Sequence, residues 1–210
     1  ILSFVLATVF FCPAVSVLGA KRPQHKAWHF IVASLWMVLI LPAAESALLR
    51  PGGTFQLHDA RAWFLWALLV VTFLNYVFTR YAPCAAFGCA GLIVWLSPHL
   101  PGLRWHLEYR MPWASLLITV AVAIYFLVRG RTPKIRYDLD PQWHEFRDTF
   151  GVTWGLRVME RVNTAASQSE WPARLDWDGF KVAEDISEAQ RAALHASFVG
   201  ILRRFHAVEK

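Results

Sequence analysis

The chain is 210 residues long, with 56% hydrophobic residues, 17% charged residues and a formal net charge of +6. A soluble domain of this size carries about 25% charged residues, so the composition points to an integral membrane protein. Residues 1–128 hold 8 Lys and Arg against 3 Asp and Glu, whereas residues 129–210 hold 13 against 12. The positive excess therefore belongs to the apolar half and reads as a topology signal; nucleic acid, which would want a basic stripe on the polar half, is not predicted as a partner.

The first apolar run covers about residues 1–20, is interrupted by Pro13, and ends at Lys21, Arg22, Pro23 and Lys26. Its length suits a first transmembrane helix. A cleaved signal peptide would carry its basic residues before the apolar core, and here they follow it. Because the chain opens at Ile1 inside this run without Met, the sequence predicts either residues upstream or a removed leader. Further spans are predicted at about 27–49, 62–79, 81–96 and 113–128, with Trp28, Trp63, Trp66, Trp95 and Trp113 where headgroups should lie. The last span has no internal charge and is followed at once by Arg129, Arg131, Lys134 and Arg136.

With that cluster inside, alternate connections hold Lys21, Arg22, Lys26, Arg80 and the four residues after Val128 on the inner side. Arg50, Arg61, Arg104 and Arg110 fall on the outer side. The positive-inside tendency then predicts an outer amino terminus and a cytoplasmic carboxyl-terminal tail; the expected location is a bacterial inner membrane.

The tail, residues 129–210, has its own pattern. Asp140-Pro141 reads as the start of a helix with the apolar stripe Trp143, Phe146, Phe150, Trp154, Val158 and Val162, ending near Ser167. Asp178-Gly179 reads as a two-residue hairpin turn that pairs Trp177 with Phe180 and Leu175 with Val182. Ser187 and Gln190 form a capping-box pattern before a last helix running to about Val208. The predicted fold is thus an all-α polytopic membrane protein of about five transmembrane helices plus a small cytoplasmic tail of helix, β-hairpin and helix. About 80 residues make a marginal core, so the tail is expected to need a partner surface.

Candidate sites are sparse. Glu45 is the one acidic residue inside a predicted span, and with Asn75 it could form an intramembrane polar site; a charge at mid-bilayer costs about 2.5–3.5 kcal/mol. Its nearness to the helix end favours instead an interfacial carboxylate paired with Arg50 or Arg61. His58, His99 and His106, with Glu108, are weak candidates for a metal site, coming from two loops without a tight motif. His25 and His29 share a helix face and could meet a quinone headgroup, although interfacial histidines are the commoner case. Ala85, Gly88, Cys89 and Gly91 are small residues three and four apart that let another helix approach closely. Cys84 could be a lipidated or redox-active thiol, and the short fourth span could be re-entrant.

In the tail, Trp143, Phe150, Gly151, Trp154 and Gly155 form a candidate docking face, with a kink at the glycines as the alternative. Arg157 and Arg161 could bind phosphate or anionic headgroups, but Glu160 between them favours a solvated face. No cofactor is predicted. The expected function is a non-catalytic integral-membrane subunit that packs in a larger energy-transducing or transport complex, in contact with lipid and other subunits, and docks partners through its tail. The alternatives are a small transporter or ion-conducting protein using Glu45 and Asn75, and a membrane-embedded enzyme acting on a lipid or quinone through its histidines. No Walker, Rossmann, G-x-S-x-G or H-E-x-x-H pattern supports the enzyme reading.

Overall fold

The computed structural model describes residues 1–18, 25–49, 55, 57–103, 108–131, 135–184, 186–203 and 205, with the side chains of 18 and 25–28 left aside. It divides into two units, the first ending at Gly130 and the second beginning at Arg131.

In the first unit the opening apolar run is two short helices, α1 (Leu2–Val9) and α2 (Phe11–Leu18). Pro13 explains the break: it has no N–H for the Val9 carbonyl, and its ring crowds that carbonyl. The chain tightens there, with Phe10 N–H bonding the Ala7 carbonyl at 3.3 Å. The third helix, α3 (His25–Leu49), continues through Pro42 and packs on α1 and α2. Trp36 Nε1 donates to Thr8 Oγ1 at 3.3 Å, and the same hydroxyl donates to Val5 O at 2.8 Å.

Next, α4 (Asp59–Tyr76) begins and ends three residues earlier than its hydropathy suggested. At the start, His58 accepts the Ala60 N–H and caps the helix. At the end, the Thr79 hydroxyl donates to Tyr76 O at 2.8 Å and accepts Tyr81 N–H at 3.2 Å, closing a turn into α5 (Ala82–Leu96). Pro83 sits in the first turn of α5, where its missing N–H costs nothing. A 3-10 turn at Ser97–His99 follows, and α6 (Arg110–Arg129) completes the unit. Its core gathers Phe4, Phe11, Leu65, Leu69, Leu92 and Leu96 from α1, α2, α4 and α5.

Three helical stretches are long and apolar enough to cross a membrane: His29–Leu49, Ala82–His99 and Arg110–Arg129. Leu2–Val17 is apolar but shorter, and α4 carries Asp59 and Arg61 in its first turn.

The second unit is mixed. Helix α7 (Asp140–Gln168) is two helical segments joined at Gly151, whose φ of 75° and ψ of −167° lie outside helical space. Glycine is what permits that conformation. Strands β1 (Ala173–Asp176) and β2 (Gly179–Val182) pair antiparallel, and α8 (Glu188–Leu202) closes the unit. Its capping box forms, with Ser187 Oγ accepting Gln190 N–H at 3.2 Å and Gln190 Oε1 accepting Ser187 N–H at 3.1 Å. The predicted extension of that helix to Val208 ends instead at Leu202; residues 206–210 lie outside the described residues.

The closest helix approach is that of α5 and α6. A Cβ on Gly91 would fall 2.8 Å from Ile118 Cγ1 and 3.2 Å from the Ala114 carbonyl oxygen, whereas one on Gly88 would meet only Ala121 Cβ at 3.9 Å. Gly91→Ala is therefore expected to cost the full chain about 1–3 kcal/mol, as overpacking does. Gly88→Ala should be near neutral, and thermal unfolding of the two variants in mild detergent compares them directly.

Candidate functional site

The second unit is organised by one buried carboxylate. Asp140 is fully buried; its Oδ2 accepts the N–H groups of Arg136 at 2.8 Å and Tyr137 at 2.9 Å, and its Oδ1 accepts Phe180 N–H at 2.8 Å. Three donors satisfy the charge and tie the start of α7 to β2. Asp140 does open the helix, as its sequence suggests, but the cap position is Leu139 and the carboxylate reaches both backward and across.

Around it, α7 holds the hairpin by side-chain bonds to main chain. Trp143 Nε1 and Arg147 Nη1 both donate to the Trp177 carbonyl, at 3.1 Å and 2.8 Å, and His144 Nε2 donates to the Asp178 carbonyl at 3.1 Å. Arg147 also grips Asp148 Oδ1 through Nε at 3.0 Å and Nη2 at 2.9 Å, and its guanidinium lies 5.4 Å from the Trp177 ring centre. Asn163 acts as a strand edge: its Oδ1 accepts Leu175 N–H at 2.7 Å and its Nδ2 donates to Leu175 O at 2.9 Å.

These anchors move the hairpin turn. Leu175 pairs with Phe180 and Ala173 with Val182, so the turn residues are Trp177-Asp178, one position before the predicted Asp178-Gly179. The Trp177 carbonyl must face Trp143 and Arg147, and its ring must lie on Gly155, where a Cβ would come within 3.0 Å of Cζ3. Gly179 then opens β2 with φ 130°, beside the Asp140 carboxylate. At the exposed edge, the Lys181 ammonium hydrogen-bonds Asp176 and, with Arg174 nearby, holds its carboxyl below the usual carboxylate range. Because the folded value is the lower one, this contribution is present above the ordinary carboxylate pKa and is lost as pH falls through the lowered one.

The candidate docking residues Trp143, Gly151, Trp154 and Gly155 are buried within this unit, and Phe150 is half-buried between Phe146 and Phe205. Their aromatic and glycine surfaces are occupied by the unit's own hairpin and by Phe205.

In the first unit, Glu45 is exposed four residues from the end of α3, and Asn75 is buried near the end of α4. Asn75 lies sixteen residues into α4, about 24 Å along a helix from Asp59. It borders a small void with Ala14, Leu68, Thr72 and Tyr76, and Glu45 is not among the described residues lining that void.

Of the histidines, His58 commits Nδ1 to the α4 cap at 3.3 Å from Ala60 N, and His99 lies between the rings of Phe4 and Phe55, at centroid distances of 5.1 and 5.0 Å. His106 and the His25 side chain lie outside what is described, and His29 is exposed. Among the described residues, no three His, Cys, Asp or Glu side chains gather as a metal-ligand group. Gly88 and Gly91 face α6, whereas Cys89 is buried toward α4 with its Sγ 3.8 Å from Leu69 O; Ala85 and Cys84 are half-buried.

No protein-family model, curated protein or solved structure matches this chain. Its function is therefore argued from its own residues.

Sequence reading missed Asn163, Arg147 and His144. The available signal was their type, because an Asn inside a helix that is otherwise apolar on that side has a side chain suited to pairing backbone elsewhere. Asp140→Asn would turn an amide toward backbone donors and is expected to cost about 2–4 kcal/mol. Gly179→Ala, with its Cβ 2.6 Å from Asp140 Oδ1, should be similarly disruptive. Gly200→Ala, in open space within α8, should be neutral or stabilising by up to about 1 kcal/mol. Thermal unfolding of the full chain in mild detergent, followed by near-ultraviolet circular dichroism, ranks the three.

Proposed function

We propose that this chain is an integral-membrane subunit: a bundle of apolar helices that packs beside other membrane helices and carries a small folded domain on a short connection. The observation that carries the reading is the sparse packing of α3 within its own chain. This helix touches the rest of its unit through the two short pieces α1 and α2, and 17% of its candidate span is buried. Phe30, Met37, Val38, Leu41, Leu48 and Leu49 are exposed along it.

Lipid can cover those side chains but gives helices no hydrophobic reason to associate, so position in a bilayer comes from close packing and interhelical hydrogen bonds. Among the described residues α3 bonds its own chain through Trp36–Thr8, and a neighbouring subunit's helix would supply further close packing.

Further support comes from the aromatic end of the unit. Trp95 Nε1 donates to Ser3 Oγ at 2.8 Å and Trp66 Nε1 donates to Pro101 O at 3.2 Å, gathering the amino terminus and the 97–103 connection at one end. In the proposed topology of five crossings, that end is the outer headgroup layer. The tail, following Arg129 and Arg131, is then cytoplasmic, as the positive-inside tendency favours.

Mass determination of the particle extracted from native membranes in mild detergent tests the reading. A particle well above the 24.0 kDa of one chain, with partners in fixed ratio, is expected. A monodisperse single chain that stays folded would contradict it.

A further inference from the structure

The second unit has an open cleft that takes no part in holding α7 to the hairpin. Trp154, Val158 and Phe205 make its apolar wall, and Arg157, Glu160 and Arg161 supply its charge. The two arginines are one helical turn apart and point into one hollow, so a single ligand can meet both. The Arg157 guanidinium lies 4.9 Å from the Trp154 ring centre. Stacked there, it loses little freedom on binding, and its N–H groups remain available around its edge for the two-pronged bond that guanidinium makes to phosphate. Both arginines are exposed, and among the described residues neither forms an ion pair with a carboxylate.

Glu160 leaves the cleft a net side-chain charge of +1. That suits a phosphodiester, which carries one negative charge, better than a phosphate monoester, which carries about −1.5 to −2 at neutral pH. The aromatic wall offers apolar area beside the charge, as a headgroup with its glycerol requires.

We propose that the cleft formed by Trp154, Arg157, Arg161 and Phe205 binds an anionic phosphodiester, the headgroup of a lipid from the membrane that holds the chain. The lipid source rests on the membrane reading above; the phosphate chemistry rests on the cleft alone.

Native mass spectrometry of the full chain in mild detergent, with phosphatidylglycerol added to the micelles, reads bound lipid directly. The wild-type chain should retain phosphatidylglycerol that the double variant Arg157→Gln/Arg161→Gln holds about tenfold more weakly. Arg191→Gln, an exposed arginine on α8 away from the cleft lining, should behave as wild type. Excess inorganic phosphate should leave the lipid bound.

Equal retention by wild type and double variant would overturn the site. Full displacement by inorganic phosphate would overturn the lipid headgroup as its ligand. Neither outcome depends on the mass of the native particle, so failure here is distinct from failure of the subunit reading.

Discussion

The helices of the first unit carry more apolar surface than they can hide among themselves. In α6, 11% of the candidate span is buried, although it makes the tightest helix contact of the unit against α5. Trp113, Leu116, Val122, Phe126 and Leu127 are exposed on it. In water such a surface would drive aggregation; in a bilayer it needs no covering, and only the helix–helix seams require shape. Under the proposed membrane placement, that difference accounts for where detail is found. Glycine lies where α5 meets α6, and bonds such as Trp36–Thr8 and Trp95–Ser3 lie where short helices meet long ones.

The second unit obeys the opposite rule. With few elements it cannot rely on apolar area alone, so it uses side chains that bond main chain: Asp140, Trp143, His144, Arg147 and Asn163 each bond the backbone of the hairpin. The arrangement is interdependent. The Asp140 carboxylate excludes any side chain at position 179, Gly179 lets the turn fall at Trp177-Asp178, and the displaced turn delivers the Trp177 carbonyl to Trp143 and Arg147. What the unit offers outward is the arginine-lined cleft rather than the Trp143–Gly155 face.

Hydropathy and turn signals made much of this legible. The apolar stretches 27–49, 81–96 and 113–128 correspond to helices within a few residues, and the order helix, hairpin, helix of the tail follows from Asp140-Pro141, the Asp-Gly pair and the Ser187–Gln190 box. The departures have local causes that composition does not carry. The first run breaks at Phe10 because Pro13 acts four residues upstream, and α4 slides by three because His58 and Thr79 close its ends. The hairpin register slips because long-range bonds to α7 outweigh the Asp-Gly preference. Sites were less legible than folds: Glu45 and Asn75 look like partners in a list of polar residues within spans, yet Glu45 is exposed near the end of α3 and Asn75 is buried near the end of α4. Arg157 and Arg161 look like an ordinary solvated pair until Trp154 and Phe205 are seen beside them.

The account rests on the first unit residing in a bilayer. Alkaline carbonate extraction of membranes from cells producing the full chain tests this most directly. Retention of the chain in the membrane pellet is the predicted result. Release into the supernatant as a folded protein would contradict it, because the exposed faces of α3 and α6 would then have to be covered by something other than lipid.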